Sequence, residues 1–488
     1  MNSAKVMACV FLLLWAGVQE TSVGQSKPGE AHLVPVQLPP LSVTQFEGTK
    51  ITVKLPAPYV NDAVDGGGGR YLIFQLQDKK QLAIFDVVEA RTVKVLDVGS
   101  DDLAVAAGAD KLVVLLRDQN QIERYSLQTF EKELSVALAP GDPVSRITMG
   151  AASNGPILVG AETGESGHPY FLDLQTLQPS AIQMPEESWE SVEGQDLLVK
   201  ASANGRIFCL SLSGKDSTFG TMVISVKRNQ AQIHYSKNWK GFKNGEGEYL
   251  NIVIPGPEGK AIYTESGVYF PDLVPLAKET DYRAVPYGLP ALQGDLCMTL
   301  VVGSSSIKIY RTGSLPVLVT VPEIWTKDRW PDYRAGLKTA HARLRYLPDA
   351  HLISFLPESR DEIILHRFDI DAALGQAGNK YLFVTSFPTR DAERGETYQY
   401  QVRYKSNTQP VKYQVLRGPA GMTVTPEGLV QWDVPENSTS DIERIHLLLE
   451  APSGHRFLQA FVIHVAYKPG VLGEPPVKPD RKSRASRR

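Results

Sequence analysis

Residues Tyr71 to Val98 read YLIFQLQDKKQLAIFDVVEARTVKVLDV. Leu72, Phe74 and Leu76 alternate with less apolar neighbours, Asp78-Lys79-Lys80 forms a polar break, Leu82 to Val87 is a second apolar run, and Val93, Val95 and Val98 mark a third. A period of two interrupted by polar turns predicts three consecutive strands of an antiparallel meander. One meander has a sticky face and two raw edges and is marginal in water by itself. The remainder of the sequence must cover it.

It does so by repetition. Apolar strands recur as YLIFQL at Tyr71, KLVVLL at Lys111, PILVGA at Pro156, DLLVKA at Asp196, KAIYTE at Lys260, MTLVVG at Met298 and HLISFL at His351. Each is followed by a second strand, usually with an aromatic residue, that often ends in Asp or Ser, as at Asp86, Ser126, Asp173, Ser211 and Asp369. From Leu72 the marks step by about 40, 45, 40, 64, 39 and 52 residues. Steps near 40 fit one four-stranded sheet per repeat, and the longer steps imply insertions. The pattern resembles a β-propeller of the WD-repeat-like or YVTN-like kind, although no repeat ends in the Trp-Asp dipeptide. The expected fold class is therefore all-β, a β-propeller over residues 59–388. Seven blades are favoured, and six or eight are the alternatives. Residues 25–58 form an extended lead-in whose ITVKL segment, Ile51 to Leu55, is the candidate strand for closing the ring.

At Pro388 the texture changes. Tyr398, Tyr400, Val402 and Tyr404 alternate, followed by VKYQVLRGPAGMTVTPEGLVQWDVPE. Tyr413 and Val415, the Pro419-Ala420-Gly421-Met422 turn, Gly428-Leu429-Val430, Trp432 and Pro435 together resemble the Ig-like, cadherin-like domain of bacterial surface proteins. That resemblance implies a β-sandwich over 389–467, with Met422 and Val424 inward, a tight hairpin at Gly428 and Trp432 packed across the sandwich. Residues 468–488 are Pro-rich and then basic and cannot build a core, so they are read as a disordered tail.

Lys5 followed by the apolar run Val6 to Val18 and small residues at Ser22 and Gly24 has the form of a secretory signal over residues 1–24. The expected location is secreted, periplasmic or cell-surface. The tail from Lys468 holds seven Lys/Arg and two Asp/Glu, so the formal charge of −3 leaves −8 for everything before it. A folded part of that sign does not suit nucleic acid, while the tail is able to touch an anionic surface. Cys209 and Cys297 sit in apolar strands and are read as buried free thiols, a single disulfide between them being the alternative.

No catalytic, metal or cofactor signature stands out. HExxH, CxxC, GxSxG and P-loop patterns are absent from the sequence. The run Gly66 to Gly69 precedes a strand rather than a helix, so it is read as an inter-strand turn. Ser166 and His168 in GESGHP suit a hairpin tip. His341, His351 and His366 are spaced too widely for a compact metal motif. Asp216, Glu248 and Asp281 are the carboxylates considered for an axial channel. Two insertions interrupt the repeats. One carries Trp239 and Phe242 among lysines; the other carries Trp325, Trp330 and Tyr333, with helical spacing at Leu337, Ala340 and Leu344. Aromatic anchors beside basic residues are common binding hot spots. These five aromatics are the expected binding residues, with a protein or a cell-wall polymer as partner. The chain is thus read as a non-catalytic binding or scaffold protein with no cofactor. A propeller enzyme acting on a sugar, lactone or peptide in the axial channel is the alternative.

Overall fold

The computed structural model describes residues 38–44, 46–138, 144–161, 169–185, 196–213, 221–227, 229–236, 242–243, 249–250, 252–264, 267–276, 288–300, 304–313, 317–325, 340–376 and 380–466. The expected signal segment, the basic tail, and Ser166 and His168 of the GESGHP tip lie outside them.

Antiparallel sheets follow one another along the chain. The first comprises Tyr59–Gly66, Tyr71–Leu76, Gln81–Asp86 and Arg91–Asp97, and the second Leu103–Ala107, Lys111–Leu116, Gln121–Ser126 and Lys132–Ala137. The third comprises Val144–Thr148, Ile157–Ala161 and Tyr170–Leu172; the fourth Asp196–Ala201, Ile207–Ser213, Thr221–Lys227 and Gln230–Ser236. Next come Ile254–Pro255 with Ile262–Thr264 and Gly267–Tyr269, then Leu289–Pro290 with Leu296–Leu300, Ile307–Arg311 and Val317–Val321. The last sheet comprises Leu344–Leu347, Leu352–Phe355 and Glu362–Arg367, and its fourth strand is Lys50–Lys54 from the start of the chain.

Radial order follows from burial. Middle strands are apolar on both faces: Gln81–Asp86 and Lys111–Leu116 are buried at every position after the first. The fourth strands, such as Lys132–Ala137, are mostly exposed. Within a middle strand, alternate residues serve opposite neighbours. Leu72 and Phe74 pack with Leu352, Ile363 and Leu365 of the last sheet. Ile73 packs with Leu112, Val114 and Leu116 of the second. The same sharing runs on through Val113 with Ile157, Leu158 with Phe208, Cys209 with Ile262, Tyr263 with Cys297, and Met298 with Ile353. Every sheet therefore shares a core with the one before and the one after, and the last shares one with the first. This is the arrangement of a β-propeller.

The Asp and Ser residues noted at strand ends have a local cause. Asp86 Oδ1 accepts the amides of Val88 and Glu89, Asp173 those of Gln175 and Thr176, and Asp369 those of Asp371 and Ala372. Ser126 does the same with its hydroxyl. Short oxygen-bearing side chains hold these turns by taking backbone donors two and three residues on. Ser211 is different: its hydroxyl reaches across to the Val253 amide in the next sheet.

Two sequence readings are corrected. DLLVKA is the innermost strand of its sheet, whereas the other repeat marks are second strands; the short and long steps around it are one slip of phase. The helical reading holds for the described residues 340–343 but stops short of Leu344, where strand begins at Leu344–Leu347, all four residues of which are buried and paired with Leu352–Phe355.

One end of the ring axis is sealed by the turns after the innermost strands. Gly67 and Gly68 donate to the carbonyls of Gly108 and Ala151, Ala109 to Ser153, Ala152 to Ala203, Asn204 to Pro257, and Leu292 to Tyr346. Gln293 Nε2 donates to the Gly68 carbonyl at 2.7 Å. At the tightest of these crossings a side chain does not fit. A Cβ on Gly108 would lie 2.4 Å from the Ser153 carbonyl oxygen. The glycine run is thus a turn, as expected, and it is also part of the plug.

The C-terminal unit has two sheets over one core. Asp391–Glu393, Arg456–Ala466, Ile442–Glu450 and Lys412–Arg417 form one, and Thr397–Gln401, Leu429–Asp433 and Thr423–Val424 the other. Tyr398, Tyr400, Val430 and Trp432 face Ile445, Leu447, Leu449, Phe461 and Ile463. Met422 is buried with them, and Gly421 and Gly428 adopt φ of 83° and 84° at the turns. The unit seats on the ring through Arg311, which bonds the Val384 carbonyl and stacks on Phe457, its guanidinium carbon 5.0 Å from the ring centroid. Arg390 Nη1 donates to both carboxylate oxygens of Asp272, at 3.0 Å each. Cys209 and Cys297 are buried free thiols, and burial pushes Cys297 up to about 12, so both are inert.

Gly108→Ala should destabilise the protein by about 1–3 kcal/mol, the usual cost of overpacking. Gly160→Ala, whose Cβ would sit 3.8 Å from that of Arg146, should be neutral or stabilising by up to about 1 kcal/mol. Urea midpoints of the two variants decide this; equal shifts would refute the sealed axis.

Candidate functional site

The innermost strands enclose a cavity of about 580 Å³ on the ring axis. Every sheet of the ring contributes: Asn61 to Asp65, Leu103 to Ala106, Arg146 to Met149, Leu198 to Ala201, Ile254 and Pro255, Leu289 to Leu292, and His341, Leu344 and Arg345. Apolar atoms of Val105, Ile147, Val199 and Leu344 form its walls, and a few charged groups project among them.

Those charges fall into two sets. Arg345 is committed to the framework. Its Nε bonds Asp65 Oδ1 at 2.6 Å, and its two terminal nitrogens donate to the carbonyls of Ala63 and Ala342, each at 2.9 Å. This ties the last sheet to the first. Arg117 is likewise committed, to Asp102 and the Ser145 carbonyl.

The second set is Asp62, Lys200, His341 and Arg146. Asp62 Oδ2 lies 3.6 Å from His341 Nε2 and 3.8 Å from Lys200 Nζ. Burial works to raise the Asp62 carboxyl, but His341, Lys200 and Arg345 outweigh it and hold the group well below the usual carboxylate range. Burial pushes the His341 imidazole down against the pull of Asp62, so at neutral pH it is uncharged. The His341 side chain is 9% exposed, and its Nδ1 has no hydrogen-bond partner. Arg146 is exposed while Ser145 and Ile147 beside it are buried, and it has no ion-pair partner among the described residues. A register shift between Val144 and Arg146 sets it apart from the regular ladder. Together these groups supply two cations, an ionised carboxylate and a neutral imidazole. That set can bind a charged ligand or exchange a proton.

The residues expected from sequence are placed differently. Trp325 is 5% exposed and tilts against Phe355, ring centroids 5.7 Å apart, in the core between the sixth and last sheets. It packs the insertion onto the ring, and its burial leaves no face for a ligand. The backbone of Phe242 pairs with Leu250 in a short hairpin. Trp239, Trp330, Tyr333, Asp216, Glu248 and Asp281 lie outside the described residues. The three histidines have separate roles: His341 lines the cavity, His351 Nδ1 lies 3.4 Å from Asp369, and His366 Nε2 bonds the Ile324 carbonyl at 2.6 Å. No group of three His, Cys, Asp or Glu suited to a metal gathers among the described residues. Asp62 and Asp65 escaped the sequence reading. The signal that could have found them is polarity inside a repeat strand: VNDAVD, VSRIT and LLVKA each place a charge in the innermost strand of a sheet.

No family model matches this chain, and no curated protein matches it. Solved structures do. The β-propeller domain of Cps50 (Swd1) from Myceliophteria thermophila is 10% identical, the match covering 65% of this chain and 99% of that one, with a TM-score of 0.40. Hydrazine synthase from Kuenenia stuttgartiensis is 12% identical over 66% of this chain and 98% of that one, with a TM-score of 0.38. The dihydro-heme d1 dehydrogenase NirN in complex with DHE is 13% identical over 65% and 71%, with a TM-score of 0.38. At such scores the likenesses carry no argument about this chain; its ring is read from its own strand pairing and shared cores.

The histidines set an acid limit on stability. Burial pushes the His366 imidazole down to about 4, with Lys50 adding to the effect and the Ile324 hydrogen bond opposing it. Unfolded, the same group titrates near 6.5. Between those values the unfolded chain binds more protons, so stability is complete above about pH 6.5 and drains away toward pH 4. The expected loss is roughly 3 kcal/mol at about 1.4 kcal/mol per unit. His341 acts in the same direction. His366→Gln should flatten the slope of urea stability between pH 7 and pH 4, and an unchanged slope would refute the assignment.

Proposed function

We propose that this chain is an exported recognition protein, a seven-bladed β-propeller carrying an Ig-like sandwich as spacer or anchor. Its partner is a protein or a cell-wall polymer met at the cell surface, and its ligand site is the axial cavity. One observation carries the reading. The cavity is bounded by every sheet of the ring, closed at one end by interlocked turns, and its lining includes Arg146, which has no ion-pair partner among the described residues. A volume of about 580 Å³ suits a ligand fragment the size of one or two sugar rings or a peptide end. The inserted aromatics Trp239, Phe242, Trp330 and Tyr333 serve in this reading as a second contact. The basic tail adds an electrostatic hold on an anionic surface.

A second reading draws on the Asp62–His341 pair: a hydrolase or lyase in the same cavity, with the neutral imidazole as proton acceptor. Turnover of a bound glycan or peptide would select it over binding alone.

The test is an array of cell-wall glycan fragments and defined peptides probed with the wild-type protein, with an Asp62→Ala/Lys200→Ala variant, and with a variant in which the four aromatics are Ala. The cavity variant should lose at least about tenfold in signal, the size expected for charge-assisted hydrogen bonds. A cavity variant that signals as strongly as the wild type would overturn the cavity as the ligand site.

A further inference from the structure

We propose that the axial cavity is an oxyanion site, which takes the carboxylate or phosphate group of its ligand on Arg146 and Lys200. This rests on the reading of the cavity as the ligand site and adds the chemical class of what enters it.

The argument is one of charge inventory. Four cations line the cavity, Arg117, Arg146, Lys200 and Arg345, against two carboxylates, Asp62 and Asp65. Asp65 is spent on Arg345 at 2.6 Å, and Arg117 is spent on Asp102 at 2.7 Å, a residue outside the cavity lining. Asp62 is shared between His341 and Lys200 at 3.6 and 3.8 Å. Those distances exceed hydrogen-bond range, so Asp62 does not take up the ammonium hydrogens of Lys200. Arg146 remains with its planar donor fork and no ion partner among the described residues.

The surplus is local. The whole chain carries −3, so a positive cavity is not a by-product of a basic protein. It is also placed. Arg146 lies on the strand Val144–Thr148 and Lys200 on Asp196–Ala201, innermost strands of adjacent sheets that contact each other. Apolar walls around them lower the local dielectric and strengthen any ion contact made there. A guanidinium and an ammonium carried on adjacent inner strands offer an oxyanion both planar and point-charge recognition. A cationic ligand would meet the same two groups as repulsion.

Calorimetry and thermal melting with inorganic phosphate, with glucuronate and with glucose as the uncharged control test this. The protein would be the wild-type full chain and its Arg146→Gln and Arg146→Gln/Lys200→Met variants, each checked for folding by circular dichroism. At least one anion should bind and raise the melting temperature, less so as sodium chloride is added, while glucose does not. Arg146→Gln should weaken that anion about tenfold, and the double variant should abolish the response. Phosphate binding alone would assign a phosphorylated ligand, and glucuronate alone a carboxylated one. No response to either anion, or equal responses in wild type and double variant, overturns the oxyanion assignment. Glucose binding as tightly as glucuronate also overturns it, yet leaves the cavity as the ligand site; failure of that broader reading shows instead as an array signal indifferent to the Asp62→Ala/Lys200→Ala change.

Discussion

A sheet whose middle strands are apolar on both faces is stable only with a neighbour on each side, and the join between the first and last sheets supplies the final pair of neighbours. Lys50–Lys54 pairs with Glu362–Arg367 over five residue pairs, Arg345 reaches Asp65 and Ala63, and Leu55 and Tyr59 donate to Asp361 and Arg360. These contacts span 280 to 316 positions in sequence. Loop-closure entropy grows only logarithmically, about 0.6 kcal/mol for each doubling, so the join costs roughly 2 kcal/mol more than a neighbouring pair of repeats. Ladder hydrogen bonds and the shared core of Leu72, Phe74, Phe85, Leu352, Ile363 and Leu365 offset that readily.

Closure also creates the site. Wherever sheets stand radially around an axis, their innermost strands converge and their following turns crowd. Gly67, Gly68, Gly108 and Gly150 accept that crowding because a side chain there would strike backbone or a neighbouring wall. Beyond the plug there is more room, and polar side chains of the inner strands project into it. The division between sealed and lined is thus a consequence of side-chain size along one set of strands.

The seat of the C-terminal unit follows a different rule. Arg311 is buried at 8% exposure, with Asp295 Oδ2 3.4 Å away. Burial pushes the Asp295 carboxyl up to about 6 although Arg311 pulls it down. Such a pair returns little net stability, but the guanidinium also caps the Val384 carbonyl and lies against Phe387 and Phe457. Its removal would leave those groups unmatched, so its role is to fix one seating of the two units against others.

Strand period, turn chemistry and the closing segment near Ile51 were legible in the sequence, because alternation and Asp or Ser turn capping act over a few residues. The phase of DLLVKA was not, since an apolar strand looks alike at any radius. Nor was the end of the helical pattern at Leu344, where pairing with Leu352–Phe355 overrides local spacing. Trp325 read as a protruding aromatic and is a core residue, because exposure depends on what lies opposite. Asp62 and His341 are 279 positions apart and meet only when the ring shuts. The sequence by itself determined that this protein would be built of sheets needing partners. The tertiary structure alone decided which charges would share a cavity, because that depends on distances across the axis and not along the chain.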